Sequence, residues 1–138
     1  MPTPTPEPTP TPEPTLKVIG TKTKVGDQQY ITVTEAAVWP GTSTVKPRAG
    51  NALVAVKITI EGITATSYDS KWFKVRDPAG KLYAGANRRA PNLYDNTLEP
   101  GKETAGYLIF EVPTAAAATL TLEYTPPFVS APTVVQLY

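Results

Sequence analysis

The sequence predicts an all-β protein, an antiparallel β-sandwich over residues 16–138 preceded by an N-terminal polyproline II tail over residues 1–15. Three observations predict it. Apolar side chains recur at every second position in a series of short runs rich in β-branched and aromatic residues. Gly, Pro, Asn and Asp punctuate those runs at turn spacing. No stretch sustains a period of 3.6, the signature of an amphipathic helix.

The tail reads PTPTPE twice over, at residues 2–7 and 8–13. Each Pro fixes its own φ and pushes the residue before it into the extended region. The expected form is polyproline II with no internal hydrogen bonds, reaching about 43 Å over residues 2–15 at about 3.1 Å per residue. It has nothing apolar to bury, so it reads as a Pro/Thr-rich stalk that spaces the domain from an anchor. Thr3, Thr5, Thr9, Thr11 and Thr15 are candidate sites for O-linked sugars.

From residue 16 onward the strands follow in order. Residues 30–34 place Ile31 and Val33 inward, and residues 53–60 (LVAVKITI) align Val54, Val56, Ile58 and Ile60. Residues 72–75 turn Phe73 and Val75 inward and Trp72 the other way, either exposed or covered by a partner. Residues 106–112 align Leu108, Phe110 and Val112, residues 119–124 align Leu120, Leu122 and Tyr124, and the last six residues give one more short strand. The only helix-friendly stretch, residues 115–118, is too short to stand alone. Asp77-Pro78-Ala79-Gly80 suits a tight turn joining two strands, and Leu98-Glu99-Pro100-Gly101 precedes another strand. About seven short strands joined this way make two packed sheets.

Composition narrows the function. The chain has no Cys and no His. That removes disulfides, thiolate nucleophiles, the commonest general base and the commonest transition-metal ligand. A net charge of +1 leaves no electrostatic footprint for nucleic acid, and no run of 18 apolar residues offers a membrane span. The repeat follows Met1 directly, so export is inferred from the tail and the fold class rather than from a leader.

Little else carries chemistry. Asp69, Asp77, Asp95 and Glu99 fall in or beside loops, where solvated turn roles account for them. No D-x-D-x-D-G loop is present for calcium. Ser70 and Lys71 are adjacent and would face opposite sides of a strand, which removes a Ser-Lys pair. Trp39, Trp72 and Tyr68 are weighed as a sugar platform, with Trp39 read as a core plug at a strand end. The longest non-repetitive loop, residues 84–97 (AGANRRAPNLYDNT), carries Arg88, Arg89 and Tyr94, residue types enriched at interface hot spots.

Taken together, Val25-Gly26-Asp27, LVAVKITI, Phe73-Lys74-Val75-Arg76-Asp77 with Gly80-Lys81-Leu82-Tyr83, Leu98-Glu99-Pro100-Gly101 and Gly106-Tyr107 through Pro113 form an ordered set. Over residues 16–138 the chain resembles the bacterial telokin-like, immunoglobulin-fold domains of unknown function found on surface lipoproteins behind Thr-Pro-Glu stalks. The resemblance implies an immunoglobulin-like sandwich and an extracellular or cell-surface address. It brings no catalytic residues and no cofactor.

The inventory argues against an enzyme and expects no cofactor and no metal. The first expectation is an extracellular structural module, a protomer of a surface filament or pilus-like assembly. Its partners would be copies of itself, exchanging the segment that holds Leu16 and Val18. Removing residues 1–23 would then leave monomers. The alternative is a monomeric binding or sensing domain that contacts a protein or glycan through the 84–97 loop. Candidate interface residues are Leu16, Val18, Trp72, Arg88, Arg89 and Tyr94.

Overall fold

Strands β1 (Lys17–Val18) and β2 (Thr23–Val25) come from one N-terminal segment and are followed by β3 (Gln29–Trp39), β4 (Asn51–Gly62) and β5 (Thr66–Tyr68). A 3₁₀ turn (Ser70–Trp72) leads into β6 (Phe73–Arg76), then β7 (Leu82–Ala86), β8 (Asn96–Leu98) and β9 (Glu103–Pro113). A second 3₁₀ turn (Thr114–Ala116) precedes β10 (Thr121–Tyr124) and β11 (Thr133–Gln136). This computed structural model describes residues 17–93 and 96–137. The tail expected over residues 1–15, with its five candidate threonines, lies outside the described residues, as do Leu16 and Tyr94.

Nine strands share one hydrogen-bonded order, β1-β11-β10-β6-β7-β9-β4-β3-β2, while β5 and β8 pair separately. The order folds over at β7. Residues 82–84 pair with β6, and residues 85–86 pair with β9. The change of partner falls at Gly85, where a Cβ would stand 2.9 Å from the Phe110 ring. Absence of a side chain there lets β7 cross from one layer to the other.

The pleat buries what the alternation promised. Val54, Val56, Ile58 and Ile60 face Leu108, Phe110 and Val112 of β9 and Phe73, Val75, Leu122 and Tyr124 of the other layer in one core. The Tyr124 ring stacks on Phe73 with centroids 4.0 Å apart. One polar side chain sits among them: Gln29 is fully buried. Its amide Nε2 donates to Thr66 Oγ1 at 3.0 Å and to the Ser67 carbonyl at 2.9 Å, and its Oε1 accepts from the Tyr124 hydroxyl.

The structure differs from expectation in the number and the length of its strands. The strands number eleven among the described residues, and β3, β4 and β9 run for 11, 12 and 11 residues rather than as short pieces. The segment expected to pair with a neighbouring subunit is already paired within its own chain: Lys17 and Val18 run parallel to Val135 and Gln136. Farther on, Gly20 N donates to Val33 O, and β2 pairs antiparallel with β3. One segment therefore occupies both ends of the nine-strand order. Removing residues 1–23 would uncover both, which does not favour a clean soluble monomer.

The Asp77–Gly80 turn forms as expected. Gly80 N donates to Asp77 O at 3.0 Å, and Gly80 takes φ +91°, a conformation open to glycine. Asp77 does more than fill the turn. Its carboxylate accepts from Lys81 N at 2.8 Å and from the Tyr83 hydroxyl at 3.0 Å. The Lys81 amide bond, foremost, and the Tyr83 bond hold its pKa below the ordinary 3.8. A depressed carboxylate adds stability above its unfolded pKa and loses it as pH falls through the folded one. Thermal melts taken from pH 5 downward should therefore drop more steeply for the native chain than for Asp77→Asn; parallel curves would refute the role.

A candidate interaction surface

The outward face of β3, β4 and β9 is built by one irregularity. The β3–β4 register shifts between Val33 and Glu35. Ile31 and Val33 point inward before this bulge; after it, the odd-numbered residues Glu35, Ala37 and Trp39 stand on the outer face opposite Lys57, Ala55 and Leu53. Tyr107, Ile109 and Glu111 of β9 continue those rows. Leu53, Ala55, Tyr107 and Ile109 form a second apolar cluster on this face, with Trp39 and Val45 packed against it.

The segment after β7 runs beside β9, bridged in parallel at Asn92 and Tyr107. Tyr107 N donates to Pro91 O at 2.7 Å, and Leu93 N donates to Tyr107 O at 3.3 Å. Leu93 itself is buried in the main core. The long loop expected at residues 84–97 is thus shorter and anchored: its start belongs to β7, its end to β8, and its middle is pinned to β9. The pinning sets Arg89 over the Tyr107 ring at 4.1 Å and near Trp39 at 5.7 Å. Arg89 also lies 3.9 Å from Glu35, whose carboxylate accepts from the Tyr107 hydroxyl at 2.7 Å. That carboxylate bond, first, and burial second raise the pKa of Tyr107, against the opposing charge of Arg89. Arg88 and Arg48 approach Glu111 at 3.9 and 4.0 Å, and Asn51 donates to it at 2.9 Å. Around Arg89, four cations (Arg48, Lys57, Arg88, Arg89) gather with two carboxylates (Glu35, Glu111), so this end of the face is locally positive; farther along the same rows stand Glu61 and Glu103, with Lys22 paired to Glu61.

On the opposite layer, Trp72 is not a strand residue. It closes the 3₁₀ turn capped by Asp69, whose side chain accepts from Lys71 N. The ring is half-buried against the core and borders a groove of about 400 Å³ with Lys71, Lys74, Arg76, Leu82, Glu123 and Pro132. Trp39 packs on the other sheet, and Tyr68 is buried, so the three rings form no sugar platform. Ser70 and Lys71 share the turn rather than a strand. Among the described residues, no group of three or more His, Cys, Asp or Glu gathers to hold a metal.

Residues 18–134 match the family model described as domain of unknown function DUF4352. The chain belongs to the DUF4352 family. Solved structures share its sandwich at low identity. The yjhA protein of Bacillus subtilis is 21% identical, with a TM-score of 0.68 over 89% of this chain and 100% of that one. MPT63, a secreted protein of Mycobacterium tuberculosis, is 14% identical, with a TM-score of 0.69 over 91% and 99%. An uncharacterized β-sandwich protein of Clostridium difficile is 15% identical, with a TM-score of 0.58 over 96% and 100%. A search of curated proteins finds no match.

Of the interface residues expected from sequence, this DUF4352 domain brings Arg88 and Arg89 onto one face and sets Trp72 on the other layer. Val18 lies in β1, paired with β11. Glu35, Trp39, Tyr107 and Glu111 complete the arginine face: Glu35 carried no motif, Trp39 was read as a platform ring or core plug, and Tyr107 and Glu111 belonged to the ordered family set with no role of their own. The one usable signal was the run Glu35-Ala36-Ala37-Val38-Trp39, where the alternation of the preceding residues breaks phase.

Proposed function

We propose that this DUF4352 domain is a non-catalytic, extracellular, immunoglobulin-like binding module, set at a distance by residues 1–15, that grips an anionic protein or glycan surface through Arg88 and Arg89. The arginine stack carries the reading. The Arg89 guanidinium stands 4.1 Å over the Tyr107 ring, while its ion pair is long, and 44% of the Arg88 side chain and 31% of the Arg89 side chain stay exposed. A guanidinium braced on an aromatic ring loses less freedom when it binds a carboxylate or sulfate in two-pronged fashion. An external address is supported by the shared fold of MPT63, a protein described as secreted. No helix among the described residues is long and apolar enough to cross a membrane.

Arrays of acidic glycans and acidic peptides test this with the intact chain. Arg88→Ala with Arg89→Ala should weaken capture by about 30-fold or more, the loss of roughly 2 kcal/mol that marks a hot spot. The melting temperature should shift little. Blank arrays for the native chain would count against the reading.

A second reading, the filament protomer, is favoured by one observation. Residues 35–39 of β3 pair with β4 alone among the described residues, and Val38 is 61% exposed on that open edge. An added strand from a second copy would fit there. Exchange of the segment holding Leu16 and Val18 would first have to open the β1–β11 pairing. Light scattering of the intact chain decides between the readings: if copies assemble through this edge, Val38→Lys should leave only monomers.

A further inference from the structure

The groove beside Trp72 lies on the outer face of β6, β10 and β7, away from the arginine face. Its floor joins the half-buried indole, Pro132 and Leu82, which is 42% exposed, to three cations. Arg76 is already engaged by Glu123 through two bonds of 3.2 Å and by the Gly80 carbonyl at 3.0 Å. Lys71 and Lys74 are exposed, and neither has an ion-pair partner among the described residues. An aromatic floor with apolar shoulders is the form that receives a polyproline II segment, because the ligand is already stiff and little ordering is lost. Two unpaired lysines at its margin ask for an acidic residue in that segment.

The chain supplies such a segment. Residues 2–13 repeat PTPTPE, so Pro alternates along the whole stretch and carboxylates recur at Glu7 and Glu13. The direction of β1 brings it to the correct end. Because β1 runs parallel to β11, its Lys17 end lies toward the start of β11, on the side where Pro132 and the Trp72 end of the groove lie. From β1 across β11 and β10 to β6 is three strand spacings, about 14 Å. Residues 7–17 span about 31 Å as polyproline II, so the repeat reaches the groove without strain.

We propose that the Pro-Thr-Glu repeat of residues 2–13 docks in the groove of its own domain, with Pro rings against Trp72 and Leu82 and Glu7 or Glu13 against Lys71 and Lys74. Docking would fold the tail onto the domain and hold it as a latch, releasable by salt, by sugars on its threonines or by a competing Pro-rich chain.

Because the chain has no Cys, a nitroxide placed through Thr5→Cys labels the intact protein at one site. The expected result is severalfold loss of amide signal for Lys74 and Leu82, unchanged on dilution. Lys71→Glu with Lys74→Glu, both at exposed positions, should abolish the loss without unfolding, and raising salt from about 0.1 M to about 1 M should weaken it. Reversing the tail with Glu7→Lys and Glu13→Lys in the same double variant should restore it. Undiminished groove signals in the labelled native chain would overturn the proposal. So would broadening that appears only between labelled and unlabelled copies, which would assign the groove to a neighbour's tail.

Discussion

Gly106→Ala is expected to destabilise the domain by about 3 kcal/mol or more, the upper end of what overpacking costs. A Cβ at Gly106 would stand 2.5 Å from Leu93 N, 2.6 Å from Asn92 C and 2.8 Å from Asn92 O. These are backbone atoms, so no rotamer change relieves the clash. The segment is pinned by the Tyr107–Pro91 and Leu93–Tyr107 hydrogen bonds on one side and by the buried Leu93 on the other. Accommodation means giving up those bonds or withdrawing Leu93, and exposing a leucine alone costs about 1.5–3 kcal/mol. Urea titration measures it: the midpoint should fall with the slope unchanged. Arg89 sits two residues before Pro91, so the same substitution should also weaken capture on acidic arrays. A loss below about 1 kcal/mol would mean that the segment yields easily and does not brace the arginine face.

Gln29→Leu should cost about 2–4 kcal/mol although it nearly conserves volume and adds apolar surface to an apolar core. The reason is what it strands. The Tyr124 hydroxyl, in a side chain with no exposure, loses its acceptor, and the Ser67 carbonyl loses its donor. A buried polar group left unpaired costs about 1–3 kcal/mol. Thr66 suffers less, since its hydroxyl still donates to Gln28 Oε1 at 3.1 Å. The account makes a further demand. Tyr124→Phe keeps the stack on Phe73 and removes the stranded hydroxyl, so the double variant should be less destabilised than the two single losses added together. Strict additivity in that cycle would show that Gln29 and Tyr124 are energetically independent.

The residues in these predictions also mark how far the sequence could be read. Strand faces were legible wherever the pleat runs unbroken, as from Val54 to Ile60, because alternation maps directly onto in and out. The Asp77 turn was legible because Pro and Gly each suit one backbone geometry. The second half of β3 was not, since the bulge before Glu35 reverses the phase and turns its odd-numbered residues outward. Trp72 was misplaced for a related reason: a side-chain bond from Lys71 N to Asp69 ends one pattern before the next begins. Gln29 looked like any polar residue beside a strand, and its three partners come from segments far away in sequence. Arg88 and Arg89 were singled out by type alone; the carboxylates and rings that orient them come from β3 and β9, brought together only by folding.

The parallel pairing of Lys17–Val18 with Val135–Gln136 has a mechanical meaning. A pull applied to Lys17 along the axis of β1 enters the fold at that strand. The load falls on the β1–β11 hydrogen bonds together, in shear, instead of peeling them open one after another. Behind them stand the Gly20–Val33 bond and the β2 ladder, on the other edge of the sandwich. A load at Lys17 therefore meets hydrogen bonds of both layers before it reaches the core.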